Sequence, residues 1–526
     1  MKSDTNNNSI IQKLPPMRKI AIEAVMAITG WDAEYAKQQI SSAAKKLNTT
    51  WTAYAKNELW YLDENDSPAS LGAAKRTAAK RKEYIAKVRE ATGWDEAKTR
   101  AELAKARSYG MNGYYYCLYA AWNLSDEEIA KQAKVIAERK EQRQKTEDWY
   151  IDTCVKKSGK SREEIVAHMK ELKAMGINTH KYTTFECFNF TPEQIEAFAV
   201  RAKEEQEKSD NTTRKYLQKI CDATGWSEAK VKMEVSRAKL ACGASYEDYY
   251  VFRLYEQPYE AHAQYVTFGL FSKMRAKYND YGPSIKVLDD KAEFNRTFSD
   301  LINRRWFVNR NLSYEEFLKN IDGLDSVIVK PLAATQGKDV HKFSCKVEDK
   351  EALYKEIMSL RKSIVEEYII QHPDVMAFCD TSVNTIRITT LNANGKCNFL
   401  YSVFRMGRGN VVDNFHAGGI AAAVDMRTGV VITHAADLEA NVFPTNPYSG
   451  LAMRGFQIPH WDKIIDICKQ AYNRVPGANL IGWDFAITPD GVDLIEGNPG
   501  ASYVVAQIPF VQHHVGLRDV MVDPYM

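Results

Sequence analysis

Apolar residues recur with a helical period through the first half of the chain, and a glycine interrupts them at regular intervals. Thr29-Gly30-Trp31, Thr92-Gly93-Trp94, Ser158-Gly159-Lys160 and Thr224-Gly225-Trp226 place that glycine 63, 66 and 66 residues apart. Each follows an apolar-periodic segment and precedes Asp32, Asp95, Ser161 or Ser227, the order of a helix C′ position and then a new N-cap. A second break comes at Gly110, Gly176 and Gly243, before segments rich in tyrosine: Tyr114 to Tyr116, Tyr182, and Tyr249 with Tyr250. Ser125 with Glu128, and Thr191 with Pro192 and Gln194, have capping-box spacing, so each unit is expected to end in a further helix rich in Lys and Glu.

A fixed period of this length marks stacked supersecondary units. The pattern predicts an all-α repeat region over 16–265, of about four three-helix units at 16–78, 79–144, 145–210 and 211–265, after a disordered polar tail at 1–15. Trp31, Trp94 and Trp226 read as anchors between helices. The tyrosines fit either a core with satisfied hydroxyls or an exposed row that binds sugar rings or a peptide.

Beyond residue 265 the period shortens. Ser326–Val329, Thr385–Thr390, Asn398–Val403 and Val492–Ile495 are β-branched and aromatic runs bounded by Gly, Asn, Asp and Pro, and read as strands. Lys350–Leu360 and Trp461–Tyr472 supply helices between them. Residues 266–526 are therefore expected to form an α+β domain, and the chain to be an α+β multidomain protein.

Composition narrows the class. Hydrophobic residues make up 45% and charged residues 26% of 526, and no apolar run approaches the roughly 18 residues of a membrane helix, so membrane insertion is not expected. The polar start, MKSDTNNNSI, lacks a secretory pattern, which leaves the cytoplasm as the expected compartment. A net charge of +3 implies neither nucleic acid nor an anionic membrane as partner. Nine scattered cysteines without a CxxC pair read as reduced, buried thiols.

Two elements carry candidate chemistry. Val327-Ile328-Val329-Lys330-Pro331 puts a lysine at the end of a buried strand, before the small-residue loop Leu332–Lys338, an arrangement suited to phosphate. Ile481–Phe485 and Asp493–Gly500, joined through Pro489-Asp490-Gly491, predict a hairpin with Asp484 and Glu496 near its open end and Asn498 just beyond. Such an all-oxygen set suits Mg²⁺. Arg387 lies in an otherwise neutral predicted strand and needs an anionic partner, either a structural carboxylate or a transferring phosphoryl group. Arg405 and Arg408, around Gly407 and Gly409, offer a cationic loop that grips an acceptor or is simply solvated.

From about Leu270 to the C-terminus the chain resembles the ATP-grasp superfamily, specifically its sugar-transfer-associated branch. The resemblance rests on Val327–Pro331, Ser382–Ile388, Asn414-Phe415-His416-Ala417-Gly418-Gly419, and Asp484 with Glu496 and Asn498. It implies that Lys330 and Lys291 contact the phosphates of ATP, and that Thr335, Gln336, Gly337 and Lys338 form the lid over them. Glu366, Glu367, Tyr368 and Ile369 look like the hinge against adenine and ribose. Asn414 looks like a nucleotide contact, and Asp484, Glu496 and Asn498 look like Mg²⁺ ligands. Lys330, Arg387 and His416 take the catalytic roles. Leu301–Trp306 departs from the family's usual Gly-containing, Pro-rich lead into its first strand.

The implied activity is an ADP-forming carboxylate–amine ligase in glycan, peptide or natural-product biosynthesis. Its substrates would be small-molecule, glycan or peptide carboxylates and amines, with the repeats receiving an acceptor or a protein partner. Two alternatives stay open: a phosphotransferase acting on a hydroxyl or phosphate, and a helical-repeat scaffold with a degenerate nucleotide domain.

Overall fold

The computed structural model describes residues 7, 9–62, 68, 70–280, 285–332, 339–409 and 418–526. It divides into two compact units, Met1–Glu207 and Lys208–Met526. Among the described residues no helix is long and apolar enough to cross a membrane.

The first unit is helical throughout, as its period predicts. Its repeat is a long helix, a second helix, a six-residue helix and one 3₁₀ turn: Leu71–Thr92, Glu96–Ser108, Gly113–Leu118 and Ala121–Asn123 show the series. The glycine caps lie where the sequence puts them, with Gly30, Gly93 and Gly159 left-handed at φ of 70–71°. Thr29 and Thr92 reinforce this stop. Each hydroxyl donates to the carbonyl four residues back at 2.7 Å and accepts from the N–H of the following tryptophan.

Two expectations change. The Lys/Glu-rich helix that was to close a unit runs without a break into the first helix of the next, giving Asp126–Ser158 and Pro192–Thr224 at 33 residues each. The unit edges expected at 144/145 and 210/211 thus fall inside helices, because Glu, Lys, Gln and Ala propagate a helix and no glycine or proline stops it. Residues 9–12, expected in the tail, are helical, and Ile11 is buried in the core with Ile22, Val25 and Trp51. Trp31 and Trp226 pack against buried clusters drawn from several helices, Trp31 also meeting Tyr35 edge-on at 5.0 Å, and Trp94 is half-buried with Lys98 Nζ 4.4 Å from its ring centroid.

The second unit holds the last helical repeat and two sheets. Its helices Glu228–Cys242 and Tyr246–Val251, read from the sequence with the repeat region, share a core with the larger sheet: Val235, Tyr249 and Phe252 pack in one cluster with Leu391, Val403 and Leu480. The strands are β1 (Trp306–Val308), β2 (Ser326–Pro331), β3 (His341–Ser344), β4 (Ser363–Glu367), β5 (Thr385–Ala393), β6 (Lys396–Met406), β7 (Ile420–Val424), β8 (Ala435–Ala436), β9 (Val442–Phe443), β10 (Leu480–Thr488) and β11 (Gly491–Asn498). They form a four-stranded sheet, β1-β4-β2-β3, and a seven-stranded sheet, β11-β10-β5-β6-β7-β8-β9. All named pairings are antiparallel. One face of the large sheet packs on the repeat helices; the other packs Phe404, Trp483 and Phe485 against Phe298 and Ile464. The small sheet has its own core around Phe317, Val327, Val329 and Ile357. All nine cysteines are free, and seven are buried.

Candidate functional site

Strand register assembles the charged groups. Asp484 on β10 lies opposite Arg387 on β5 and opposite Glu496 on β11, and directly opposite residues share a sheet face. Arg405 on β6 stands opposite Thr385, one side-chain step along that face from Arg387. The guanidinium of Arg387 therefore reaches Asp484 in a fork, Nε to Oδ1 at 2.7 Å and Nη2 to Oδ2 at 2.5 Å, and Arg405 Nη1 donates to the same Oδ2 at 3.0 Å. Burial would raise the Asp484 carboxyl, but Arg387 and then Arg405 outweigh it and hold it at about 2. Glu496 shifts the other way: the protein around it, and next the negative charge of Asp484, raise its carboxyl. Asn498 Nδ2 donates to Glu496 Oε1 at 3.0 Å.

A second network joins the two sheets. Arg304, just before β1, is buried with its guanidinium between Glu366 on β4 and Asp493 on β11, at 2.8 and 3.1 Å. It also donates to the carbonyls of Leu494 and Ile495. The other oxygen of Glu366 accepts from Lys330 Nζ at 2.7 Å, and Asn295 Nδ2 donates to Oε1. Burial opposes ionisation of Glu366, yet Arg304 and Lys330 overcome it and keep the carboxyl far below its usual range.

Lys291 links the networks. Its backbone N–H donates to Leu332 O, just past the end of β2, at 3.1 Å. Burial lowers its ammonium, the negative charge of Glu496 opposes that, and the positive charge of Lys330 reinforces it. Lys291, at a helix start, thus stands within electrostatic reach of Lys330 at a strand end and of Glu496 at the open end of the β10–β11 hairpin.

Residues 276–519 match the model of the family described as sugar-transfer associated ATP-grasp. This half of the chain is an ATP-grasp domain. No curated protein matches the chain. Among solved structures, the ATP-grasp ligase PsnB, in complex with a phosphomimetic variant of a minimal precursor, Mg and ADP, is 15% identical; the match covers 48% of this chain and 61% of that one, at a TM-score of 0.28. D-alanyl-alanine synthetase A from Vibrio cholerae is 12% identical, over 46% of this chain and 68% of that one, at 0.30. L-amino acid ligase from Bacillus licheniformis is 14% identical, over 45% and 49%, at 0.27. Such identities and TM-scores carry no inference about substrate.

Of the residues singled out in the ATP-grasp domain, Lys291, Lys330, Glu366, Arg387, Asp484, Glu496 and Asn498 come together. Thr335, Gln336, Gly337, Lys338, Asn414 and His416 lie outside the described residues. Glu367 pairs with Val327 and accepts from Arg305 N, while Tyr368 N donates to Ser326 O and its ring lies 3.4 Å from Lys342 Nζ. Ile369 follows β4. Arg408 turns away, donating to Gly418 O and pairing with Asp437.

Sequence reasoning assigned no role to Arg304, Asn295 or Asp493. Arg304 sits in the Leu301–Trp306 stretch that departs from the family pattern, and a buried arginine there is a signal only once its two distant carboxylates are known.

Two adjacent carboxylates with a carboxamide oxygen form the hard donor set that Mg²⁺ takes. Among the described residues no three His, Cys, Asp or Glu side chains are grouped to hold a metal, so Asn498 is needed to complete the set. The set fits. Arg387 and Arg405 keep Asp484 ionised, and burial followed by the negative charge of Asp484 raises the Glu496 carboxyl, a repulsion between the two carboxyls that a cation held by both would offset.

Proposed function

We propose that the chain is an ATP-dependent, ADP-forming ligase that activates a carboxylate as an acyl phosphate for attack by an amine. The observation that carries this reading is the convergence of Lys291 and Lys330 with Arg387 and the Asp484/Glu496/Asn498 set in one ATP-grasp domain.

Carboxylates are poor acyl donors because oxide is a poor leaving group. Transfer of the γ-phosphoryl group to the carboxylate releases ADP and yields an acyl phosphate; the amine then forms the amide bond and phosphate departs with the C–O electron pair. Lys330 spends one N–H on Glu366 and keeps two for phosphate oxygens. Lys291 adds a second cation on the same side. Arg387 is oriented by its fork onto Asp484 through Nε and Nη2, so Nη1 is the nitrogen that faces an incoming oxyanion. Mg²⁺ held by Asp484, Glu496 and Asn498 would neutralise phosphate oxygens during the transfer. Thr335–Lys338 are assigned to cover the phosphates, Glu367–Ile369 to hold the adenosine end, Asn414 to contact the nucleotide, and His416 to a catalytic role.

Incubation with ATP, Mg²⁺, hydroxylamine and a panel of amino acids and uronic acids tests the reaction. The ligase reading expects a hydroxamate and ADP in equal amounts. A stable phosphoester made at the expense of ATP, with no hydroxamate, would move the assignment to phosphoryl transfer.

A further inference from the structure

The pairing of β10 with β11 contains one residue too many. Phe485 lies opposite Leu494 and Asp484 opposite Glu496, so Ile495 has no partner and forms a β-bulge. The bulge decides which face Glu496 occupies. Continued without it, the register would set Ile495 opposite Asp484 and Glu496 opposite Trp483, turning Glu496 to the other side of the sheet. That side has no room for a carboxylate. Gly497 holds the place opposite Trp483, and even a Cβ there would stand 2.9 Å from the Trp483 ring and 3.2 Å from Leu288 and Phe294. Asp484 and Glu496 therefore face each other only while the bulge is kept.

The bulge is held from outside its own sheet. Arg304 Nη1 donates to Leu494 O at 2.8 Å and Nη2 to Ile495 O at 3.3 Å, the carbonyls on either side of the register shift. Nη1 also reaches Asp493 Oδ2 at 3.1 Å. The preceding residue continues the grip: Asn303 N donates to Asp493 Oδ1 at 2.9 Å, and its Nδ2 to Val492 O at 2.8 Å. Residues 492 to 495 are thus each tied to the 303–304 segment. The remaining N–H groups of the guanidinium anchor it, with Nε and Nη2 donating to Glu366 Oε1 on β4 at 3.0 and 2.8 Å. Arg304 is 7% exposed, so water does not compete for these bonds.

We propose that Arg304 is a positioning residue for the metal: by pinning the bulge at Ile495 it aims Glu496 at the face where Asp484 stands. It touches neither nucleotide nor metal and acts only through β11. The assignment rests on the reading of Asp484, Glu496 and Asn498 as Mg²⁺ ligands. Groups that orient ligands in this way commonly change metal affinity by about 10–100-fold.

The test is calorimetric titration of ATP into the full chain over a range of Mg²⁺ concentrations, for wild type, Arg304→Lys, and Arg304→Met combined with Asp493→Asn. Lysine keeps the buried charge, but its single nitrogen cannot span Glu366 and both carbonyls. The double variant removes the guanidinium together with one of its carboxylates and leaves Glu366 balanced by Lys330, so it covers the case in which Arg304→Lys does not fold. In each folded variant the Mg²⁺ concentration that gives half-maximal ATP binding should rise at least about tenfold. A packing role alone would lower the melting temperature and leave that concentration where it is. Wild-type Mg²⁺ dependence in a folded variant overturns the assignment to Arg304 and leaves the nucleotide site standing. Absence of any Mg²⁺-dependent ATP binding by wild type overturns both.

Discussion

Arg304 is a buried cation set between two buried carboxylates of the second unit. It neutralises Glu366 and Asp493 at once, and both carboxylates are buried. Removing one partner of a buried ion pair leaves an uncompensated charge, so Arg304→Met should cost about 3–5 kcal/mol in denaturant unfolding. A loss below about 1 kcal/mol, the scale of an exposed pair, would contradict this role. Glu366 adds a pH dependence. Its folded pKa is depressed, so its stabilisation is complete above the unfolded value of about 4.3 and is lost progressively as pH falls toward the folded one. Glu366→Gln should therefore flatten the acid limb of Tm against pH below about 5 while leaving its shape near neutrality unchanged. Lys330 at the end of β2 was legible from its position in an apolar run. Its partner Glu366 was instead read as part of the adenine hinge, because a β4 carboxylate and a β2 lysine meet only through sheet pairing across 36 residues.

Among elements, the repeat helices show what a sequence pattern can and cannot say. Glycine stops were visible because a left-handed cap favours glycine, as at Gly93 and Gly159. Equally regular left-handed positions at Glu58, Ala120, Glu186 and Arg253 were not, since nothing in those side chains announces a positive φ. The continuity of Asp126–Ser158 was hidden for a related reason: a helix that fails to stop leaves no mark. Gln142 lies on the exposed middle of that helix, so Gln142→Pro should cost about 3 kcal/mol and open a protease-sensitive site near residue 142. Wild-type stability and protease resistance in that variant would argue against one continuous helix. The β10–β11 hairpin was the most legible element of the site, because its turn brings Asp484 and Glu496 to its open end, whereas the register shift next to Asp484 that sets the two directly opposite left no mark in the sequence. Arg387 opposite Asp484 requires a third strand from about a hundred residues away and was read only as needing a partner.

For the molecule as a whole, the compact division at Glu207/Lys208 assigns the last helical repeat to the unit that carries the ATP-grasp domain. Val235, Tyr249, Phe252 and Tyr265 close one side of the larger sheet's core, and Asp248 accepts from the Tyr503 hydroxyl at 2.7 Å. A fragment starting at 208 should stay monomeric and unfold cooperatively, whereas one starting at 266 should aggregate through the uncovered apolar face. Equal solubility of the two fragments would show that the repeat is dispensable to that core. The central claim is that two lysines from separate elements and the hairpin carboxylates form one nucleotide site. Calorimetric titration of ATP with Mg²⁺ into wild type, Lys291→Ala and Lys330→Ala tests it most directly. Each variant should bind at least tenfold more weakly, about 1.4 kcal/mol, with the fold intact by circular dichroism. Wild-type affinity in both variants would contradict the assignment.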